Sequence, residues 1–219
     1  MRQGVFSCMN VDFSYERNLL SLYFGTTFTG EDDMQKDEMM KKAHELGFAY
    51  ERDFRSCAQC TAAAVQDALG IRNDYIFRSA YGLAGGFSNL GDGPCGGYSG
   101  GSMMISLFFG RRREFFDGDK ENKTRTKELV KRLHGRFIQQ YGSVICSKIQ
   151  ESMFGRSYDL WDKKDAEQFE EDGGHTDKCT EVVGRAAEWA LELILEEIEN
   201  GGLKLQDYDF LNFAAEFPR

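Results

Sequence analysis

The residues best suited to chemistry in this 219-residue chain are its cysteines, six in all. Cys57, Cys95, Cys146 and Cys179 are spread too widely along the sequence for any local zinc-finger pattern. Three of them fall on the inward faces of amphipathic segments, and Cys95 lies in a stretch dense in glycine. Taken singly, each reads equally well as a small core residue, because free cysteine is among the most buried residue types. Cys57 and Cys60 form a C-x-x-C pair at the start of a helical pattern, the spacing of thiol–disulfide redox motifs, where a helix N-terminus can lower a thiol pKa. No βαβ pattern surrounds that pair, and Cys60 is equally an extra core cysteine. His175, shortly before Cys179, is a ligand, a proton carrier or simply a solvated helix-start histidine. His44 and His134 lie on charged helical segments and read as surface residues, and Cys8 reads as inert. Gly91 to Gly96 matches G-x-G-x-x-G, yet no β-branched strand precedes it and Pro94 interrupts it. A phosphate loop ending in Gly-Lys-Ser/Thr is absent. Arg111-Arg112-Arg113 reads as a solvated turn, or as an attractor for an acidic electron-transfer partner or an anionic cofactor.

The elements that must position these residues are helical. Two prolines against 24 glycines, with long charged periodic segments, speak against a sandwich or barrel. Apolar spacing predicts helices over 37–49, ending near Gly47; over 57–69, with Ser56 as N-cap and Gly70 as terminator; and over 74–83. It predicts further helices over 102–109, 121–141, 143–154, and from Thr176 or Asp177 to Gly201. Gly82 to Gly101 reads as a loop using positive φ or close backbone approach. The fold expected is all-α, a bundle of about six or seven helices with a glycine-rich loop carrying Cys95. Residues 1–34 read as an N-terminal extension on the core, 35–200 as the cysteine-containing helical domain, and 201–219 as an aromatic tail docking on a protomer, with a homodimer left open.

Four stretches carry a resemblance to a known family: SCAQC, LAGGFSNLGDGPCGGYSGGSMM, GSVICSKI and HTDKCTEVVGRAAEWALELI, from about Arg55 to Leu195. Together they resemble the redox-active family named for its Cys-Gly-Ala-x-x-Gly motif and four cysteines, C-GCAxxG-C-C. Cys57, Cys95, Cys146 and Cys179 stand in order as counterparts of the four family cysteines. The motif's alanine is Gly97 here, and Cys60 is an addition where relatives carry a small apolar residue. The resemblance implies redox chemistry or cluster binding without naming a reaction. Ligand chemistry points the same way: soft thiolates suit iron–sulfur clusters, and four are the usual complement. Glycines beside Cys95, namely Gly93, Gly96, Gly97 and Gly100, would let backbone amides approach the sulfurs without Cβ collision.

The expectation is therefore a redox or electron-transfer protein that binds an iron–sulfur cluster through Cys57, Cys95, Cys146 and Cys179. The alternatives are a cofactor-free thiol oxidoreductase using Cys57 and Cys60, and a zinc-stabilised interaction module. The partner would be a redox protein or a small-molecule electron donor. Composition narrows the rest. The net charge of −9 argues against a nucleic-acid or anionic-membrane binder, which needs a basic face. The longest uncharged apolar stretch, Ser102 to Phe109, falls far short of the roughly 20 residues that cross a bilayer, and the N-terminus shows no apolar signal core, so a cytoplasmic location is expected. Charge is also uneven: residues 151–200 carry a net −10 and residues 111–136 a net +5. Oppositely charged helices of this kind can support each other across a bundle.

Overall fold

A computed structural model describes residues 30–202; the expectations for 1–29, Cys8 among them, and for 203–219 lie outside the described residues. The architecture is all-α, with eight α-helices among the described residues. They are α1 (Gly30–Phe54), α2 (Cys57–Leu69), α3 (Asp74–Ser79), α4 (Gly96–Phe109), α5 (Lys120–Tyr141), α6 (Cys146–Phe154), α7 (Lys163–Glu171) and α8 (Cys179–Glu197). α8 is the central element and packs on α1, α2 and α4. Its inward face, from Val182 and Val183 to Leu195, is fully buried with Leu69, Ile105, Leu133 and Phe137. One helix more than the upper expectation arises because the acidic connection contains α7, capped by Asp162, whose carboxylate accepts the amides of Lys164 and Asp165.

Two glycine assignments are corrected. α1 does not end near Gly47 but runs on to Phe54. Gly47 serves as a crossing point: a Cβ there would meet Val183 O at 3.0 Å and Gly184 Cα at 3.1 Å, so its absence lets α8 lie close against α1. Likewise the glycine stretch is irregular only over 84–94, where Gly85, Gly86, Phe87, Ser88, Asn89 and Gly91 all have positive φ. From Gly96 onward it is the first half of α4, so the expected loop-borne cysteine is a helix N-cap instead. Glycine is permissive in both settings, and here close helix approach decided the conformation. A Cβ on Gly100 would meet Ala58 O at 2.5 Å, and one on Gly101 would meet Ala190 Cβ at 3.2 Å. The helix predicted over 74–83 stops at Ser79 and passes into a 3₁₀ turn over Tyr81–Leu83. Ser56 does precede α2, but in a left-handed conformation (φ 73°), and its hydroxyl caps no amide. Arg55, at φ 62°, shares this conformation, which is uncommon for residues other than glycine.

The basic α5 lies against the acidic α8, and Arg125–Glu197 (2.9 Å), Arg132–Glu196 and Arg136–Glu192 pair across them. Exposed pairs of this type contribute only about 0–1 kcal/mol each. Burial of Phe137, which meets Tyr98 and Trp189 edge to face at 5.5 Å, contributes more than these pairs to holding α4, α5 and α8 together.

Candidate redox site

All four cysteines of the spaced set stand at the starts of helices. Cys57, Cys146 and Cys179 are the first residues of α2, α6 and α8, and Cys95 is the N-cap of α4. The first amides of a helix lack intrahelical acceptors and carry its positive dipole end, so Cys57, Cys95 and Cys146 sit where negative charge is favoured, whereas the turn over Gly174–Lys178 runs directly into α8 and the Cys179 N–H donates to Gly174 O. The four helix starts converge: Cys57, Cys95, Cys146 and Cys179 line one cavity of about 580 Å³, together with Glu51 and His175. Cys95 and Cys146 are buried, while Cys57 and Cys179 are half-buried on the cavity wall.

Local pairing explains how segments distant in sequence reach one place. Pro94 and Ile145 form an isolated antiparallel bridge, Cys95 N–H donates to Val144 O (2.7 Å) and Cys146 N–H to Gly93 O (3.0 Å). Gly86 and Gly93 press together beneath this clamp; a Cβ on Gly86 would lie 2.8 Å from Cys146 Cβ. Backbone amides then turn toward sulfur. Gly85 N–H donates to Cys57 Sγ at 3.4 Å, the Gly96 amide also serves Cys57, and the amides of Gly97 and Tyr98 serve Cys95. Of the four glycines singled out from the sequence, Gly96 and Gly97 thus offer donors to sulfurs. Gly93 and Gly100 instead pack against Gly86 and Ala58.

Burial outweighs these donors in the thiols' acidity. Cys95 and Cys146 are each pushed up to about 12, first by burial and then by neighbouring thiols. Cys57 and Cys179 are raised well above the ordinary thiol range by burial, with Glu51 the next cause at Cys57 and Cys146 the next at Cys179. Left to themselves the four thiols stay protonated near neutral pH, and only a positive centre among them would draw off their protons.

Cys60 is placed elsewhere. It is buried outside the cavity wall, and its Sγ donates to Arg55 O at 2.9 Å. Burial and the Glu51 carboxyl push its pKa strongly upward. Cys57 and Cys60 are free thiols, and neither has the depressed pKa that a thiol–disulfide nucleophile requires. Among the described residues no three His, Cys, Asp or Glu side chains lie close enough to hold a single metal ion.

His175 lines the same cavity, positioned by a turn over Gly174–Lys178 that precedes α8, with its own backbone non-helical at φ −105° and ψ 18°. Its Nδ1 lies 2.8 Å from Glu170 Oε1 and its Nε2 3.6 Å from Glu51 Oε1. Glu51, Arg55 and Glu170 carry no signal in the sequence, where they are ordinary members of charged segments. His44 pairs with Glu181 (3.3 Å), and exposed His134 meets the Tyr98 ring edge. Arg111 and Arg112 stack on Phe116 and Phe115, at 4.2 and 4.5 Å from the ring centroids.

The fold and site together define a helical protein with four helix-start cysteines around a single cavity. The family model described as "Putative redox-active protein (C_GCAxxG_C_C)" matches residues 54–193, and the chain belongs to that family. No curated protein and no solved structure matches the chain. Among the described residues no helix is long and apolar enough to cross a membrane.

Proposed function

We propose that Cys57, Cys95, Cys146 and Cys179 hold an iron–sulfur cluster and that the protein transfers electrons through it. The observation that carries this reading is the convergence of four helix-start cysteines on one cavity, with backbone amides already directed at two of the sulfurs. The donor set fits the group. Four soft thiols are its usual complement. When bound, the cluster would supply one-electron redox chemistry.

The chain's own residues would do the rest. The amides of Gly85 and Gly96 donate to Cys57, and those of Gly97 and Tyr98 to Cys95, which stabilises anionic sulfur and raises a reduction potential. The dipoles of α2, α4 and α6 act in the same sense. Ile149 and Phe169 line the inner wall, while exposed Tyr81 and Trp161 stand at its rim, where a small or protein one-electron donor would approach.

Anaerobic reconstitution with iron and sulfide tests the reading. Wild-type protein should gain visible absorption with stoichiometric iron and acid-labile sulfide, and Cys95→Ser should lose both while keeping its helix content by circular dichroism. Colourless wild-type protein that retains no iron would reject it.

A further inference from the structure

One wall of the four-cysteine cavity stands apart from the rest. α1, α2, α4 and α8 meet in the main hydrophobic core, whereas Leu160, Trp161, Ala166, Phe169 and Glu170 close the cavity from residues 156–172, which run from the end of α6 through α7 and supply nothing to that core. This segment is bonded within itself. Asp165 accepts the amide of Asp159 at 2.6 Å and pairs with Arg156, and Tyr158 Oη donates to Asp172 Oδ2 at 2.6 Å. Its first residues are thereby tied to its last, and residues 156–172 hold together as a unit. Phe169 is the one buried side chain of α7, so little apolar burial fixes that helix in place.

Both ends of the unit are glycines in the left-handed region, Gly155 at φ 78° and Gly173 at φ 92°. Glycine absorbs backbone rotation there at the least steric cost, and Gly155 has open space around it. The contacts of the unit divide into two sets. Beside the glycines, Tyr158 and Phe169 pack on Phe154, Phe169 meets the His175 ring edge to face at 5.2 Å, and Tyr158 N–H donates to Gln150 Oε1 at 3.1 Å. Across the cavity mouth the ties are polar and open to solvent. Trp161, 71% exposed, donates its indole N–H to Ser88 O at 2.8 Å, and Arg55 Nη1 meets Glu170 Oε1 at 2.9 Å between side chains 59% and 36% exposed. Ties of this kind are individually weak, and a unit held so lightly belongs to the low-stability end of a fold.

We propose that residues 156–172 form a lid over the cysteine cavity, hinged at Gly155 and Gly173 and latched to the opposite rim by Trp161–Ser88 and Arg55–Glu170. Opening turns the unit about the two glycines, keeps the aromatic contacts beside them and breaks the two exposed latches. It admits a molecule to Cys95 and Cys146, which are 7% and 8% exposed in the closed form. Closure returns Leu160 and Phe169 to the cavity wall and excludes bulk water from the sulfurs. The inference concerns access, and it holds whichever group the four cysteines carry.

The test reads thiol access and amide exchange in the metal-free protein. Trp161→Phe removes the indole donor, and adding Glu170→Gln removes the charge facing Arg55 while keeping an oxygen that accepts from His175 Nδ1. A bulky maleimide, located by mass spectrometry, should modify Cys95 and Cys146 about two- to tenfold faster in Trp161→Phe than in wild type, the factor for loss of one hydrogen bond from a closed state. The double variant should be faster still. Amide hydrogen exchange should rise over residues 156–172 in the same order, with Cys60, which is buried outside the cavity wall, and the amides of 182–195 in α8 unchanged. Wild-type rates at Cys95 and Cys146 in both variants overturn the lid. So does Cys60 accelerating in step with them, which marks general loosening, or faster modification without faster exchange over 156–172, which marks lost cover instead of opening. A double variant no faster than Trp161→Phe strikes out the Arg55–Glu170 latch. None of these readings needs iron, so a protein that fails to load iron rejects the redox reading and leaves the lid to be judged on its own.

Discussion

Replacing Gly96 and Gly135 by alanine, one at a time, should shift stability in opposite directions. A Cβ on Gly96 would collide with Cys57 Sγ and lie 2.7 Å from Ala58 N and 3.1 Å from Cys57 Cβ. Two of those three atoms belong to the first residue of α2, whose position the cavity fixes, and the third is backbone, so none can yield cheaply. Overpacking of this kind costs about 1–3 kcal/mol. The better helix propensity of alanine returns at most about 1 kcal/mol, so the net loss is roughly 1–2 kcal/mol. Gly135 is exposed within α5 and would place its Cβ in open space. There the same substitution should stabilise by about 0.5–1 kcal/mol. At about 2–4 °C per kcal/mol for a chain of this size, Tm should fall by roughly 2–8 °C for Gly96→Ala and rise by roughly 1–4 °C for Gly135→Ala. Thermal denaturation of the metal-free proteins, followed by circular dichroism, gives both values. Iron binding after reconstitution should weaken only in Gly96→Ala, since its amide serves Cys57. A Gly96→Ala protein with unchanged or higher Tm and full iron content would refute the claim that this glycine exists to let α4 approach Cys57.

Two further outcomes are expected. Because the folded state holds the Glu51 proton from its ordinary 4.5 up to about 7, the unfolded chain releases that proton first, and stability should decline as pH rises across this window and level off above it. The loss amounts to roughly 3 kcal/mol; Glu51→Gln should abolish it, and equal pH dependence of Tm in the two metal-free proteins would contradict the assignment. Cys60→Ser retains a donor for Arg55 O, so iron and sulfide content should stay at the wild-type level, and neither protein should turn over a small disulfide; loss of iron in the variant would instead make Cys60 a ligand.

The class of fold and the placement of Cys57, Cys146 and Cys179 are legible in the sequence for a shared reason: both are written in local pattern. Helical periodicity marks where a segment must turn an apolar face inward, and Cys57, Cys146 and Cys179 lie at or near the beginnings of such segments. Helix boundaries at glycine are not legible in the same way, because the residue has two uses that one-dimensional reading does not separate. Gly70 and Gly142 end helices in the left-handed conformation. Gly47, Gly100 and Gly101 instead lie inside helices where a neighbour comes too close for a Cβ. Which use applies depends on what packs opposite, and the neighbour of Gly47 is α8, from the far end of the sequence.

What the sequence determined by itself, then, was an all-α chain with Cys57, Cys146 and Cys179 at or near helix starts, since propensity, amphipathic period and capping are properties of a few consecutive residues. Tertiary structure alone decided that Cys57, Cys95, Cys146 and Cys179 share a cavity while Cys60, one turn from Cys57, is turned away from it. It alone placed Glu51 against His175 and Glu170, giving a carboxyl from an unremarkable charged helix its raised proton affinity. The physical reason is that burial and electrostatic coupling depend on distances in space, and the residues that line the cavity with Glu51 come from segments far apart in the chain.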